Sequence, residues 1–359
     1  MDRAALLTAV LGWMTAAGCS GTDHDALAAR DASTGGSGGS IVDAGGSESD
    51  SGSADAPPDV VADAPPPDSS FVADGPSVFT FVNGIPNARA VRICFEVETS
   101  SGFESLPMVP VPDALTGLAY GRAYTATSIP GADLDAQSVR PVVFTGELQY
   151  IDGKSCDELE VLPEGVGSAR LQAVPTGTLA RGRSVLMVAA GCVAGSDDEA
   201  SVLEAVCGLG YMPSEGNASL LMASMERTSV GAMGLQVFSA AKAAGKLTVE
   251  HVTAFPSMAT TLVHNIAVGQ MAPRPPTDAL PVGNLGTSAE ENSVRVFADN
   301  AAEPVAEELL TEALERGGLT LDALQDGKNY TVVMVGPKPA VGEGAWFRPF
   351  TVTVLPSDP

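Results

Sequence analysis

From Ser77 onward the chain repeats one motif: a short run of β-branched and aromatic residues, then a turn signalled by Gly, Pro or Asn. A helix needs apolar residues three and four apart over ten or so positions, and runs this short and this often interrupted cannot supply them. Val78-Phe-Thr-Phe-Val82 ends at Asn83-Gly84. Val91, Ile93 and Phe95 then share one face of the next run, as Phe350, Val352 and Val354 do near the end. Further strands are expected at 120–127, 139–144, 169–174, 185–190, 247–252, 261–266, 294–298 and 331–335. The pattern predicts an all-β fold of two tandem antiparallel β-sandwich (Ig-like) domains with short connecting helices. The first sandwich is expected at 77–195 and the second at 217–359, with a helical connector at 196–216.

Two segments read as helices. Ser196-Asp-Asp-Glu199 has the spacing of a capping box ahead of Ala200–Val206. Pro304–Arg316 carries Leu309, Leu310 and Leu314 along one side and stops at Gly317-Gly318. A weak internal repeat supports two units. Leu171-Gln-Ala-Val174, Gly182-Arg-Ser and Val185-Leu-Met-Val188 have counterparts in Leu321-Asp-Ala-Leu324, Gly327-Lys-Asn and Val332-Val-Met-Val335.

The segment before Ser77 is of another kind. Residues 20–76 hold ten Asp and one Glu against Arg30 alone, a net charge of −10. Gly/Ser tracts and the near-copies Asp55-Ala-Pro-Pro-Asp59 and Asp63-Ala-Pro-Pro-Pro-Asp68 complete it. It buries too little apolar area to offset the entropy of ordering, so residues 19–76 are expected to be a disordered tether. As a coil it spans roughly 40 Å, and fully extended about 175 Å. Its carboxylates lack the D-x-[DN]-x-[DN]-G spacing of a calcium loop.

At the start, Ala4–Ala17 is one apolar run, too short for a permanent membrane span and suited to the core of a secretory signal behind Arg3. Ala16-Ala-Gly-Cys19 follows directly and resembles the bacterial lipobox. That resemblance implies a leader at 1–18, cleavage before Cys19 and lipidation of its thiol. The chain would then be exported and held at the outer membrane or cell surface, with the membrane as a partner through the N-terminal anchor. Two or more acyl chains are needed for stable anchoring.

Four cysteines remain: Cys94, Cys156, Cys192 and Cys207. An even number in an exported chain favours disulfides, and three pairings are open. Cys192–Cys207 and Cys94–Cys156 are favoured. The first would staple a short helix. The second would tie a loop to the face of its strand that Val91, Ile93 and Phe95 leave free.

The segment Asn83-Gly-Ile-Pro-Asn-Ala88 with Val91-Arg-Ile93, and Gly327-Lys-Asn-Tyr-Thr-Val-Val-Met-Val-Gly336, resemble the bacterial extracellular family called domain of unknown function 4397. The resemblance implies β-sandwich modules on secreted or lipid-anchored proteins, often in tandem, and carries no catalytic residues with it.

The net charge of −25 argues against nucleic acid as a partner. There is no G-x-S-x-G elbow and no His-Glu-x-x-His, and Gly245-Lys246 lacks the other residues of a phosphate loop. His251 and His264 fall on strand-patterned runs. Trp346 and Phe347 form an aromatic pair, expected in a core more readily than on a surface. No cofactor or metal is expected. These features point to a non-enzymatic envelope module that binds a protein or polysaccharide or serves as a spacer. The rival is a glycan-directed hydrolase with a carboxylate site the sequence does not reveal.

Overall fold

A computed structural model describes residues 75–113, 116–146, 148–161, 166–195, 198–227, 231–254, 257–280, 291–298 and 301–358. The expected leader, Cys19 and the tether up to residue 74 lie outside them, as do Ser196 and Asp197 of the expected capping box.

The chain is all-β, as its punctuated runs imply. The first half contains β1 (Val78–Gly84), β2 (Ala90–Thr99), β3 (Gly102–Ser105), β4 (Leu118–Ala119), β5 (Ala123–Ala126) and β6 (Val139–Thr145). Short helices α1 (Leu148–Ile151) and α2 (Cys156–Glu160) follow, then β7 (Gly167–Arg170), β8 (Ser184–Ala190), α3 (Ala200–Cys207) and β9 (Ser219–Ser224). The second half contains β10 (Met233–Ser239), β11 (Leu247–Thr253), β12 (Met258–Ile266), β13 (Met271–Leu280), β14 (Ser293–Ala298) and β15 (Ala306–Leu309). It ends with α4 (Leu310–Arg316), β16 (Asn329–Val335) and β17 (Thr351–Pro356).

These strands form four sheets ordered β3-β2-β6-β7, β5-β1-β8-β9, β13-β10-β16-β17 and β12-β11-β14-β15, with β4 pairing β2. Apart from β4, the second half repeats the connectivity of the first strand for strand. The repeat noticed in the sequence is the pair β8 and β16. Each runs parallel to the first strand of its half, β8 beside β1 and β16 beside β10. These two are parallel pairs inside otherwise antiparallel sheets.

Three apolar layers hold the four sheets together. Phe79, Phe81, Ile93, Phe95 and Met187 fill the first sandwich, and Val237, Val249, Val296, Met334 and Val352 fill the second. Between the sandwiches, Val82, Leu186, Val188, Phe238, Val333, Val335 and Leu355 form a third layer. The two inner sheets therefore pack back to back, which is why β1, β8, β10 and β16 are buried along their whole length. Polar groups caught in this seam find partners across it. The Tyr120 hydroxyl donates to Pro349 O (2.8 Å), Thr353 Oγ1 to Gly121 O (2.6 Å) and Ser184 Oγ to Ser357 O (2.6 Å), while the Arg227 guanidinium pairs with Asp358. Such pairing is what a buried hydroxyl or charge requires.

The outer face of β2 carries Arg92, Cys94 and Glu96. Arg92 reaches Asp152 at 3.3 Å, and Glu96 receives both Arg140 and Arg170. Cys94 is bonded to Cys156 at the start of α2. The face opposite Val91, Ile93 and Phe95 is thus covered by helices α1 and α2, with the disulfide as their tie.

Three sequence expectations are corrected. Ser219–Ser224, assigned to the second sandwich, is β9 and completes the first sandwich's inner sheet along the free edge of β8. The helix expected over 304–316 begins only at Leu310. Ala306–Leu309 is drawn into β15 by pairing with β14, Glu307 opposite Arg295. The capping residue of α3 is Glu199, which makes no side-chain cap bond. The capping box lies instead on α2, where Ser155 and Glu158 each receive the other's backbone N–H.

Candidate functional site

Strand direction decides which loops lie together. The start of β8 touches the C-terminal segment through Ser184 and Ser357, and Val78 N donates to Arg183 O (2.8 Å). At the other end of the strands, a Cβ on Gly84 would lie 2.9 Å from the Val335 side chain. β1, β8, β10 and β16 therefore point the same way. The residues around 75 and 358 sit at one end of the molecule, and the loops that follow these four strands form a cap at the other.

Two of those loops are long, 191–218 and 336–350. The first is locked by the Cys192–Cys207 disulfide across α3. Asn217 serves as its hub: its side chain accepts from Cys192 N (2.9 Å) and donates to Cys207 O (3.0 Å) and Leu209 O (3.1 Å). Gly216, at φ +72°, passes so close that a Cβ would sit 2.6 Å from Cys192 O, so only glycine fits. The Asn87 side chain grips Val193 from the neighbouring loop, donating to its carbonyl (2.8 Å) and accepting from its N–H (3.0 Å). Asn83 caps the turn after β1 by accepting from Ile85 N (3.1 Å). The Asn residues of the Asn83-Gly-Ile-Pro-Asn87 motif thus act as braces for the cap.

The second long loop docks on the first. Lys338 N donates to Ala205 O (2.7 Å), and Arg348 N to Pro86 O (2.9 Å). Trp346 and Phe347 meet edge to face with centroids 4.8 Å apart, and both pack on the Cys192, Val206 and Cys207 cluster. The aromatic pair is therefore half-buried, between the two positions open to it from sequence. Lys242, from the second half, donates to Asn217 O (2.8 Å) and Ser219 Oγ (3.1 Å), and burial pushes its ammonium below the usual lysine range.

Around this braced centre the surface is apolar and acidic. Leu209 is 80% exposed, Met212 49% and Val202 37%. Asp198, Glu199, Glu204 and Glu215 are exposed on the same loop. The cap was not read from the sequence. Its signal there is a run from 191 to 218 with no Lys or Arg.

Several titratable groups lie elsewhere in the sandwiches. His251, on β11, points into the second sandwich core among Leu235, Leu262 and Val294, beside a cavity of about 10 Å³. Neither ring nitrogen has a hydrogen-bond partner, and burial lowers its pKa to about 4. His264 is exposed on β12. Burial raises the Tyr120 phenol, and it raises the Glu308 carboxyl against the pull of Arg316. These two brace β17, Glu308 by accepting from Val352 N (3.0 Å). A cleft of about 280 Å³ between β5 and the first sandwich core is lined by Phe79, Phe95, Met108 and Tyr124. Another of about 380 Å³ lies near the C-terminus, with Asp358 its one carboxylate. Neither brings two carboxylates together. Among the described residues no three His, Cys, Asp or Glu converge as a metal site, and no helix is long and apolar enough to cross a membrane.

No family model matches the chain, and no curated protein does. Among solved structures it is similar to the tip fimbrial protein Mfa3 from Porphyromonas gingivalis with C-terminal truncation. The identity is 11% over 78% of this chain and 99% of that one, with a TM-score of 0.18. A likeness that slight carries no argument about fold or role.

Proposed function

We propose that this chain is an exported, lipid-anchored envelope protein whose paired sandwiches form a non-enzymatic binding module, with the cap as its binding end. The observation that carries this reading is polarity. Residues 75 and 358 lie at one end of the strands, while two long loops, the Cys192–Cys207 disulfide and the exposed side chains of Val202, Leu209 and Met212 lie at the other. Binding residues belong on loops held by a rigid scaffold, and the cap is held by two back-to-back sandwiches. Both disulfides fit an oxidising compartment. Lipidation at Cys19 and a tether over residues 20–76 complete this reading.

A photo-crosslinking residue at position 209 of the full-length chain, in the producing cell's envelope, tests the reading. Crosslinks to an envelope protein or glycan are expected from position 209 and not from position 325, at the opposite end. Equal yields from both ends, or none from 209, would reduce the body to a spacer.

A further inference from the structure

We infer that the cap receives a cationic, amphipathic polypeptide segment of a partner protein. This rests on the cap being the binding end and adds the chemistry of what it binds.

The inference starts from how this chain treats carboxylates. In the sandwich bodies they are often neutralised: Glu96 by Arg140 and Arg170, Glu308 by Arg316, Asp358 by Arg227. In the cap loop the four described carboxylates, Asp198, Glu199, Glu204 and Glu215, make no ion pair among the described residues. This loop has no basic residue of its own to set against them. In the facing loop Arg348 is taken by Glu343 and Lys338 is exposed; the two shorter cap loops add exposed Arg89 and Lys246, and Lys242, whose ammonium donates to Asn217 O and Ser219 Oγ.

The acids do not stand alone. They share the loop with Leu209, Met212 and Val202, large apolar side chains left in water on a loop that a disulfide and Asn217 hold in place. Exposed apolar side chains set among charges are the form of a protein-recognition surface. The sign of those charges selects a partner whose Lys or Arg residues flank its own apolar anchors. A loop that is already ordered loses little entropy on binding. Sugar stacking is less well served, because Trp346 and Phe347 pack against one another and onto the disulfide cluster.

Trp346 gives a local probe. With Trp13 replaced by Phe it is the chain's sole tryptophan, and it sits in the cap. The full-length chain is titrated with a synthetic amphipathic peptide of Lys and Leu, with its Glu-for-Lys counterpart, and with soluble peptidoglycan fragments. A saturable change in Trp346 emission is expected with the Lys peptide alone. Raising salt from about 0.1 M to about 1 M, which cuts the Debye length from ~10 Å to ~3 Å, should weaken it. Two variants, Leu209→Ser with Met212→Ser and Glu199→Gln with Glu204→Gln, should each bind about tenfold more weakly.

Lys-peptide binding that leaves Trp346 unmoved, or that neither variant weakens, would be attraction to bulk acidity and would overturn the inference. A response to the Glu peptide or to the peptidoglycan fragments would remove the cationic chemistry while keeping the cap as the binding end. Silence from every probe, together with no crosslink from position 209, would remove both.

Discussion

His251 makes the stability of the fold depend on pH. Its imidazole is 2% exposed, lies among aliphatic side chains and has no partner on either nitrogen. Burial alone lowers its pKa from 6.5 to about 4. The folded chain therefore takes up its proton later than the unfolded chain as pH falls. The stability associated with neutral His251 is complete above pH 6.5, declines between 6.5 and 4, and is gone below the folded value. At 1.36 kcal/mol per pH unit, that shift is worth about 3 kcal/mol. The carboxylates titrate in the same range, so the effect must be read as a difference of differences. Urea unfolding of the wild type and of His251→Leu, followed by circular dichroism at pH 7.5 and pH 4, isolates it. The wild type should lose about 3 kcal/mol more than the variant between the two pH values. Leu also removes two unsatisfied polar atoms at similar volume, so the variant should be at least as stable as wild type at pH 7.5. Equal losses in both proteins, or an imidazole resonance for His251 titrating near 6.5, would refute the reasoning.

Other outcomes follow from the same structure. Replacing Cys94 and Cys156 by Ala should cost about 4 kcal/mol and replacing Cys192 and Cys207 about 3, by urea unfolding, because the closed loops have sequence separations of 62 and 15. Asn87→Ala, which strips both bonds from Val193, should cost about 2 kcal/mol and speed hydrogen exchange at the Val193 amide. Tyr120→Phe leaves the Pro349 carbonyl without this donor across the seam and should lower stability by about 1–2 kcal/mol in urea unfolding. Gly216→Ala meets both a positive φ and a backbone clash with Cys192, and should destabilise the cap loop enough to open it to limited proteolysis.

What the sequence revealed depended on what each strand faces. β2, with its alternating Val91, Ile93 and Phe95, is an outer-sheet strand and was legible by its period. The inner strands are buried on both faces, so alternation vanishes. Met233-Gly-Leu-Gln-Val-Phe-Ser239, the centre of its sheet, offered neither a period nor a clear apolar run and was missed. β13 was hidden by Pro273, Pro275 and Pro276, which an edge strand tolerates because one side of its backbone has no ladder to serve. Glu307 and Glu308 look helical in sequence, and pairing with Arg295 and Val294 overrides that preference. The favoured cysteine pairs are the ones formed, since Cys94 lies out of phase with its apolar neighbours and must face the helices outside. The cap was beyond reach, because its position opposite residue 75 depends on the parallel pairs β1–β8 and β10–β16. Those pairs join residues roughly a hundred apart in the chain and leave no local mark.

The central claim, an exported and disulfide-locked module held by a lipid on residue 19, is open to one direct measurement. Mass spectrometry of the protein isolated from envelopes without reductant should find an acylated N-terminal Cys19 peptide and the crosslinked peptides Cys94–Cys156 and Cys192–Cys207. An N-terminus still bearing Met1, with all four body thiols free to alkylate, would contradict it.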